Sequence, residues 1–138
     1  MVYDLIVLGG GPAGYLAAES AGHAGLVTAV IEKRALGGVC LNEGCIPSKS
    51  LLYCAKALEY AKHGEAYGVK AENVAYDHKF VVDRKDKVVK QLVAGIGATM
   101  KANKVTVIEG VGKIAGRDPE GYAVEVNGER LVTKRLLI

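Results

Sequence analysis

Cys40 and Cys45, two of the three cysteines in the chain, are separated by four residues that include Gly44. A glycine in so short a turn admits backbone angles closed to other residues, so both sulfurs can come within disulfide distance. Pro47 suits the first turn of a helix, and Ser48-Lys49-Ser50-Leu51-Leu52-Tyr53 continues without a breaker. That places Cys45 at a helix N-terminus, where unpaired N–H groups favour the thiolate, the species that attacks disulfides or donates to an electron acceptor. A reversible dithiol is one chemistry for this pair. A static disulfide is a second, although no signal-peptide pattern points to an oxidising compartment. Half of a zinc site is a third, but the spacing is not C-x2-C and His23, His63 and His78 are scattered, so no metal is expected. Cys54 falls inside the helical run and reads as a small buried apolar side chain.

The residues before this pair supply the elements that would position it. Tyr3 to Leu8 is a short apolar run that reads as a strand buried on both faces. It leads into Gly9-Gly10-Gly11-Pro12-Ala13-Gly14, which fits G-x-G-x-x-G: Gly9 for the tight turn, Gly11 for close approach of a pyrophosphate, Gly14 for packing of helix on strand. With 18 glycines in the chain, such a match carries weight only in context. The context is a helix from Ala13 to His23 ended by Gly25, then a second apolar strand from Leu26 to Ile31, which completes a βαβ unit. Glu32 follows, 18 residues after Gly14 and close to the spacing of about 20 at which a carboxylate accepts bonds from a ribose hydroxyl. The fingerprint alone does not separate FAD from NAD(P). The dithiol does, because a flavin exchanges electrons with a thiolate that it touches.

Beyond the cysteines, Pro47 to His63 reads as one amphipathic helix with Leu51, Leu52, Ala55, Leu58 and Ala61 near one face. Tyr67 to Asp77 reads as loop. A second helix from His78 to Lys101 follows from Val81, Val88, Leu92, Ile96 and Met100, and Gly95 and Gly97 within it suggest close approach by a neighbouring element. Val105 to Ile108 is a third parallel-type strand, with an open turn at Gly110 and Gly112. Asp118 to Gly121 is a turn, Tyr122 to Val126 alternates, and Asn127-Gly128 is a type I′ hairpin signal before Glu129 to Thr133. Leu136-Leu137-Ile138 begins another apolar strand.

The segment Gly37 to Lys49 resembles the redox-active motif of the pyridine nucleotide-disulfide oxidoreductases. Leu41-Asn42 with Ile46-Pro47-Ser48-Lys49 is most similar to the dihydrolipoyl dehydrogenase branch, since glutathione and mercuric reductases usually carry valine in place of the leucine and isoleucine. Glu43 stands where members of the family vary. The resemblance implies FAD bound by Gly9, Gly11, Pro12, Ala13, Gly14, Glu32, Lys33, Gly38, Val39, Cys40, Cys45, Lys49 and Gly112. It assigns Cys40 as the interchange thiol, Cys45 as the charge-transfer thiol against the flavin, and Lys49 as a lysine near flavin N5. It also implies oxidation of protein-bound dihydrolipoamide with NAD+ as final acceptor, lipoyl domains of 2-oxo acid dehydrogenase or glycine cleavage complexes as partners, and a homodimer. The expected fold is a doubly wound α/β sheet of the FAD-binding Rossmann type, with an inserted helical pair and a small antiparallel meander.

Composition agrees with a globular domain: 138 residues, 50% hydrophobic, 24% charged, net charge +3. The Lys and Arg residues are dispersed, which argues against nucleic acid, and no apolar run approaches the ~20 residues that span a bilayer. A cytoplasmic location is expected. The resemblance covers residues 1–138 and leaves the family's NAD and dimerisation domains beyond them, so these residues are expected to be the N-terminal FAD-binding part, inactive alone.

Overall fold

Ile6 and Val7 sit side by side on β2 (Leu5–Leu8), point to opposite faces and are both buried, so the sheet that contains them is covered on both sides. The computed structural model describes residues 1–138. Around β2 the parallel sheet has the order β4-β3-β2-β8, with β3 (Thr28–Glu32) and β4 (Thr106–Glu109) on one side and β8 (Leu136–Leu137) on the other. This is a Rossmann-type α/β arrangement in which the strand order reverses beside β2. A second sheet, β1-β7-β6-β5, is formed by β1 (Val2–Tyr3), β5 (Lys113–Asp118), β6 (Gly121–Val126) and β7 (Glu129–Thr133).

Three layers result. Ile6, Ala29 and Ile31 pack against Val124 and Val126 of the second sheet. Val7 and Val30 face the other way, against Ala18 of α1 (Pro12–His23), Met100 of α4 (His78–Ala102) and Val105. Along the chain between β3 and α4 come α2 (Gly38–Asn42), α3 (Cys45–His63) and a 3-10 turn at Gly64–Tyr67. The β6–β7 hairpin turns at Asn127 (φ 52) and Gly128 (φ 82), the two positive angles that a type I′ turn requires.

Several expectations are corrected. The run from Tyr3 to Leu8 is two strands. Val2 and Tyr3 pair with Val132 and Thr133 of the second sheet, and the chain crosses to the parallel sheet at Asp4. Leu26 and Val27 precede β3 and are exposed. The helix expected from Pro47 begins at Cys45, two residues earlier. Its packed face is also rotated from the expected one: Ser50 is buried, Cys54, Leu58 and Ala61 are half-buried, and Leu51, Leu52 and Ala55 are exposed. Arg84 of α4 donates to Ser50 Oγ at 3.0 Å, joining the two long helices. Gly95 and Gly97 make no close approach, since a Cβ on either would meet nothing within 4 Å.

Candidate active site

At the carboxyl end of β2 the chain leaves the sheet through Gly9, whose φ of +104 is a left-handed conformation that glycine adopts without strain. Gly14 has a different reason to lack a side chain: a Cβ there would overlap the Gly9 carbonyl oxygen, so its absence lets α1 sit directly on the turn. At Gly11 a Cβ would meet nothing within 4 Å. Gly11 is the N-cap of α1 and no side chain caps the helix, so the N–H groups of its first turn face open space. Residues Gly9, Gly11, Pro12, Ala13 and Gly14 line a cleft of about 270 Å³ whose far wall is Leu137 and Ile138. It lies where the sheet order reverses, between β2 and β8.

Glu32 ends β3 with both carboxylate oxygens engaged. Oε2 accepts from the Gly10 N–H at 2.7 Å and Oε1 from the Arg34 N–H at 2.9 Å. Each oxygen keeps a lone pair, so the carboxylate is oriented and still able to accept from a further hydroxyl. Lys33 is exposed beside it. Glu32, Lys33, Gly38 and Val39 share a second cleft, of about 480 Å³, with Arg34, Ala35, Asn42 and Glu43.

The two cysteines form a disulfide with a Cα–Cα distance of 4.8 Å, within the usual range for such bonds. Cys40 is half-buried in α2, an element not anticipated, and Cys45 is the exposed first residue of α3. Gly44 stands at φ −118 and ψ −105, and a Cβ there would be 3.1 Å from the Val39 carbonyl oxygen, a tight contact. Lys49 is exposed one helical turn after Cys45 and on the same side of α3. Cys54 is a free, half-buried thiol.

The glycine turn and the dithiol segment touch. The Gly37 N–H donates to the Gly10 carbonyl at 2.8 Å, and Gly38, at φ +61, lies so close that a Cβ on it would be 2.9 Å from Gly11 Cα. Asn42 Nδ2 braces the same segment by donating to the carbonyls of Leu36 and Gly38 at 3.0 and 2.9 Å. Gly112 stands apart from this cluster. It packs over Leu8 and Ile31 at the carboxyl end of the sheet, where a Cβ would be 2.6 Å from Leu8 Cδ2. The bracing by Asn42 and the Gly10 bond to Glu32 are the features sequence reasoning missed, because both join residues distant in the chain or follow from the unforeseen α2.

A family model described as pyridine nucleotide-disulphide oxidoreductase matches residues 3–138. The chain belongs to that family. Among curated relatives, it is 44% identical over 139 residues to a dihydrolipoyl dehydrogenase of Mycoplasma pneumoniae, covering 100% of this chain and 30% of that protein. It is 46% identical over 134 residues to the mitochondrial dihydrolipoyl dehydrogenase of Pisum sativum, covering 95% and 26%. With the dihydrolipoyl dehydrogenase of Bacillus subtilis the identity is 42% over 145 residues, covering 99% and 31%. The chain thus spans about a third or less of each of these oxidoreductases. No helix of this family member is long and apolar enough to cross a membrane.

Proposed function

We propose that these residues are the FAD-binding and dithiol-bearing part of a cytoplasmic dihydrolipoyl dehydrogenase. The supporting observation is the direct contact of a disulfide-forming segment with an uncapped, glycine-lined helix N-terminus. The residues suit FAD: Gly11, Ala13 and Gly14 offer N–H groups, Pro12 has none and shapes the first turn, the space beside them is open to a pyrophosphate, and Glu32 offers an oriented carboxylate to a ribose. Gly38 and Val39 flank that site, Lys33 is at its edge, and Gly112 provides a backbone free of a side chain at the end of the sheet. Bound FAD would supply the two-electron acceptor for the reduced dithiol.

In this reading a thiolate of dihydrolipoamide attacks the Cys40 sulfur. The Cys40–Cys45 bond breaks and Cys45 leaves as a thiolate stabilised at the start of α3. The second substrate thiol, as thiolate, attacks the mixed disulfide and releases Cys40. The substrate ends as a disulfide and the protein as a dithiol, so two electrons have moved and the two substrate protons pass to solvent or to the protein thiols. Lys49 supplies a fixed positive charge on the Cys45 side of the helix. The nicotinamide and dimerisation functions, and recognition of lipoyl domains of 2-oxo acid dehydrogenase or glycine cleavage complexes, belong to the longer protein.

Fluorescence quenching on titration of the chain with FAD tests this reading. Binding to wild type and its loss in Gly11→Val, through a clash with the pyrophosphate, are expected; unchanged affinity overturns the placement. In the reduced, FAD-loaded protein a thiolate-to-flavin charge-transfer band should survive Cys40→Ser and vanish in Cys45→Ser.

A further inference from the structure

Glu43 lies three residues after Cys40 and two before Cys45, so the chain itself keeps its Cα within about 7 Å of that of Cys45 and about 11 Å of that of Cys40. That is about one screening length at ordinary ionic strength. Its carboxylate is held by Arg34 in a two-pronged pair, Nη2 on Oε1 and Nη1 on Oε2, the latter at 3.4 Å. The main-chain N–H of the same Arg34 holds Glu32 Oε1. One residue therefore joins the carboxylate proposed for the ribose to the turn between the two sulfurs. The shape of that turn has independent support, from Asn42 Nδ2 and from the Glu43 N–H donating to the Val39 carbonyl at 2.8 Å. Loss of the ion pair changes the charge beside the dithiol more than it changes the backbone.

We propose that the Arg34–Glu43 pair balances charge at the Cys40–Cys45 couple and thereby sets the couple's reduction equilibrium. This rests on the reading that the couple cycles between disulfide and dithiol. The disulfide is neutral, whereas the reduced pair carries negative charge whenever one sulfur is a thiolate. With Arg34 removed, the uncompensated Glu43 carboxylate disfavours the reduced form. With Glu43 removed, the uncompensated Arg34 guanidinium favours it. Lys33 and Lys49 contribute the same charge in every variant and cancel from the comparison. Arg34 and Glu43 are positioning residues here, acting on the sulfurs through their field.

The test equilibrates the chain with mixtures of reduced and oxidised glutathione, quenches with acid and counts alkylated thiols by mass. Two glutathione thiols give two electrons and two protons to the Cys40–Cys45 bond and become one glutathione disulfide. Glu43→Gln should shift the equilibrium about threefold toward the dithiol and Arg34→Gln about threefold toward the disulfide, each equal to about 14 mV for a two-electron couple. The double variant should return near wild type, and the single-variant shifts should shrink in ~1 M salt. Shifts of the same sign reveal simple loosening of the turn and overturn the proposal, as does the absence of any shift. If the pair fails to interconvert with glutathione, the underlying reading falls and the proposal with it; interconversion without opposite shifts removes the proposal alone.

Discussion

At the carboxyl ends of β2 and β3 the backbone turns through glycines, the first turn of α1 has no cap, and the Glu32 carboxylate is aimed by two main-chain N–H groups. At the amino ends the same sheet is tied off. Asp4 accepts from the Val27 N–H at 3.0 Å and from Lys134 Nζ at 2.8 Å, and Thr133 Oγ1 donates to the Arg135 carbonyl at 2.7 Å. Side chains satisfy backbone groups at both ends, but only at the carboxyl end does a helix start without a side-chain cap. The contrast lies in what is left open: at the amino ends the polar groups close on one another, and at the carboxyl ends the first turn of α1 keeps N–H groups without a side-chain partner.

The largest effect expected to break this contrast comes from Gly14→Ala. Its Cβ would overlap the Gly9 carbonyl oxygen, a backbone atom that cannot swing aside, so a loss of about 3 kcal/mol or more in urea unfolding is expected. Gly11→Ala, three residues away with open space around it, should change stability by no more than about 0.5 kcal/mol while weakening FAD at least tenfold. Equal stability losses at the two glycines would show that the open end is also a structural seam.

Glu32→Gln comes next in size. The new amide must turn its NH2 toward the Gly10 or the Arg34 N–H, a donor against a donor, and the expected loss is about 1–2 kcal/mol in unfolding with weaker FAD binding. A Gln variant as stable as wild type would mean that the carboxylate is not held by the turn.

At the closed end, the hydrogen bond from Lys134, followed by that from the Val27 N–H, holds the Asp4 carboxyl below its ordinary value of 3.8. A lowered folded-state value gives stability that is complete above the unfolded value and is lost as pH falls through the folded one. Asp4→Asn should therefore be modestly less stable than wild type at neutral pH, with the gap closing below about pH 3.8. Asp4 is half-buried and its partner Lys134 is exposed, so solvent screens the pair and this is the smallest of the effects. A gap that persists unchanged into acid would assign the role of Asp4 to shape instead of charge.

Features fixed by local backbone chemistry were legible in the sequence. The G-x-G-x-x-G turn, the βαβ unit and the Asn127-Gly128 hairpin each follow from conformations that few residues adopt. What escaped depends on partners far along the chain. The apolar run from Tyr3 to Leu8 carries no sign that Val2 and Tyr3 pair with Val132 and Thr133, because strand propensity is indifferent to which sheet supplies the neighbour. In α3 the apolar positions Leu51 and Leu52 suggested the packed face, yet the face against α4 is set by Ser50 and its bond to Arg84, a polar contact that hydrophobic periodicity does not register. The short helix carrying Cys40 follows a glycine at positive φ and holds only five residues, too few for any period to show.

The position of β8 also shapes how the chain acquires its structure. Ile6 and Val7 pair with Leu136 and Leu137, so during synthesis the central strand keeps an open edge until about 130 further residues have been added. At ordinary rates of translation that interval is roughly ten seconds, during which β2 and β3 can join while their apolar flank waits. Pairing of β8 closes a very long loop, which slows folding, and a nascent chain halted before Leu136 would expose a strand edge that invites pairing with another molecule.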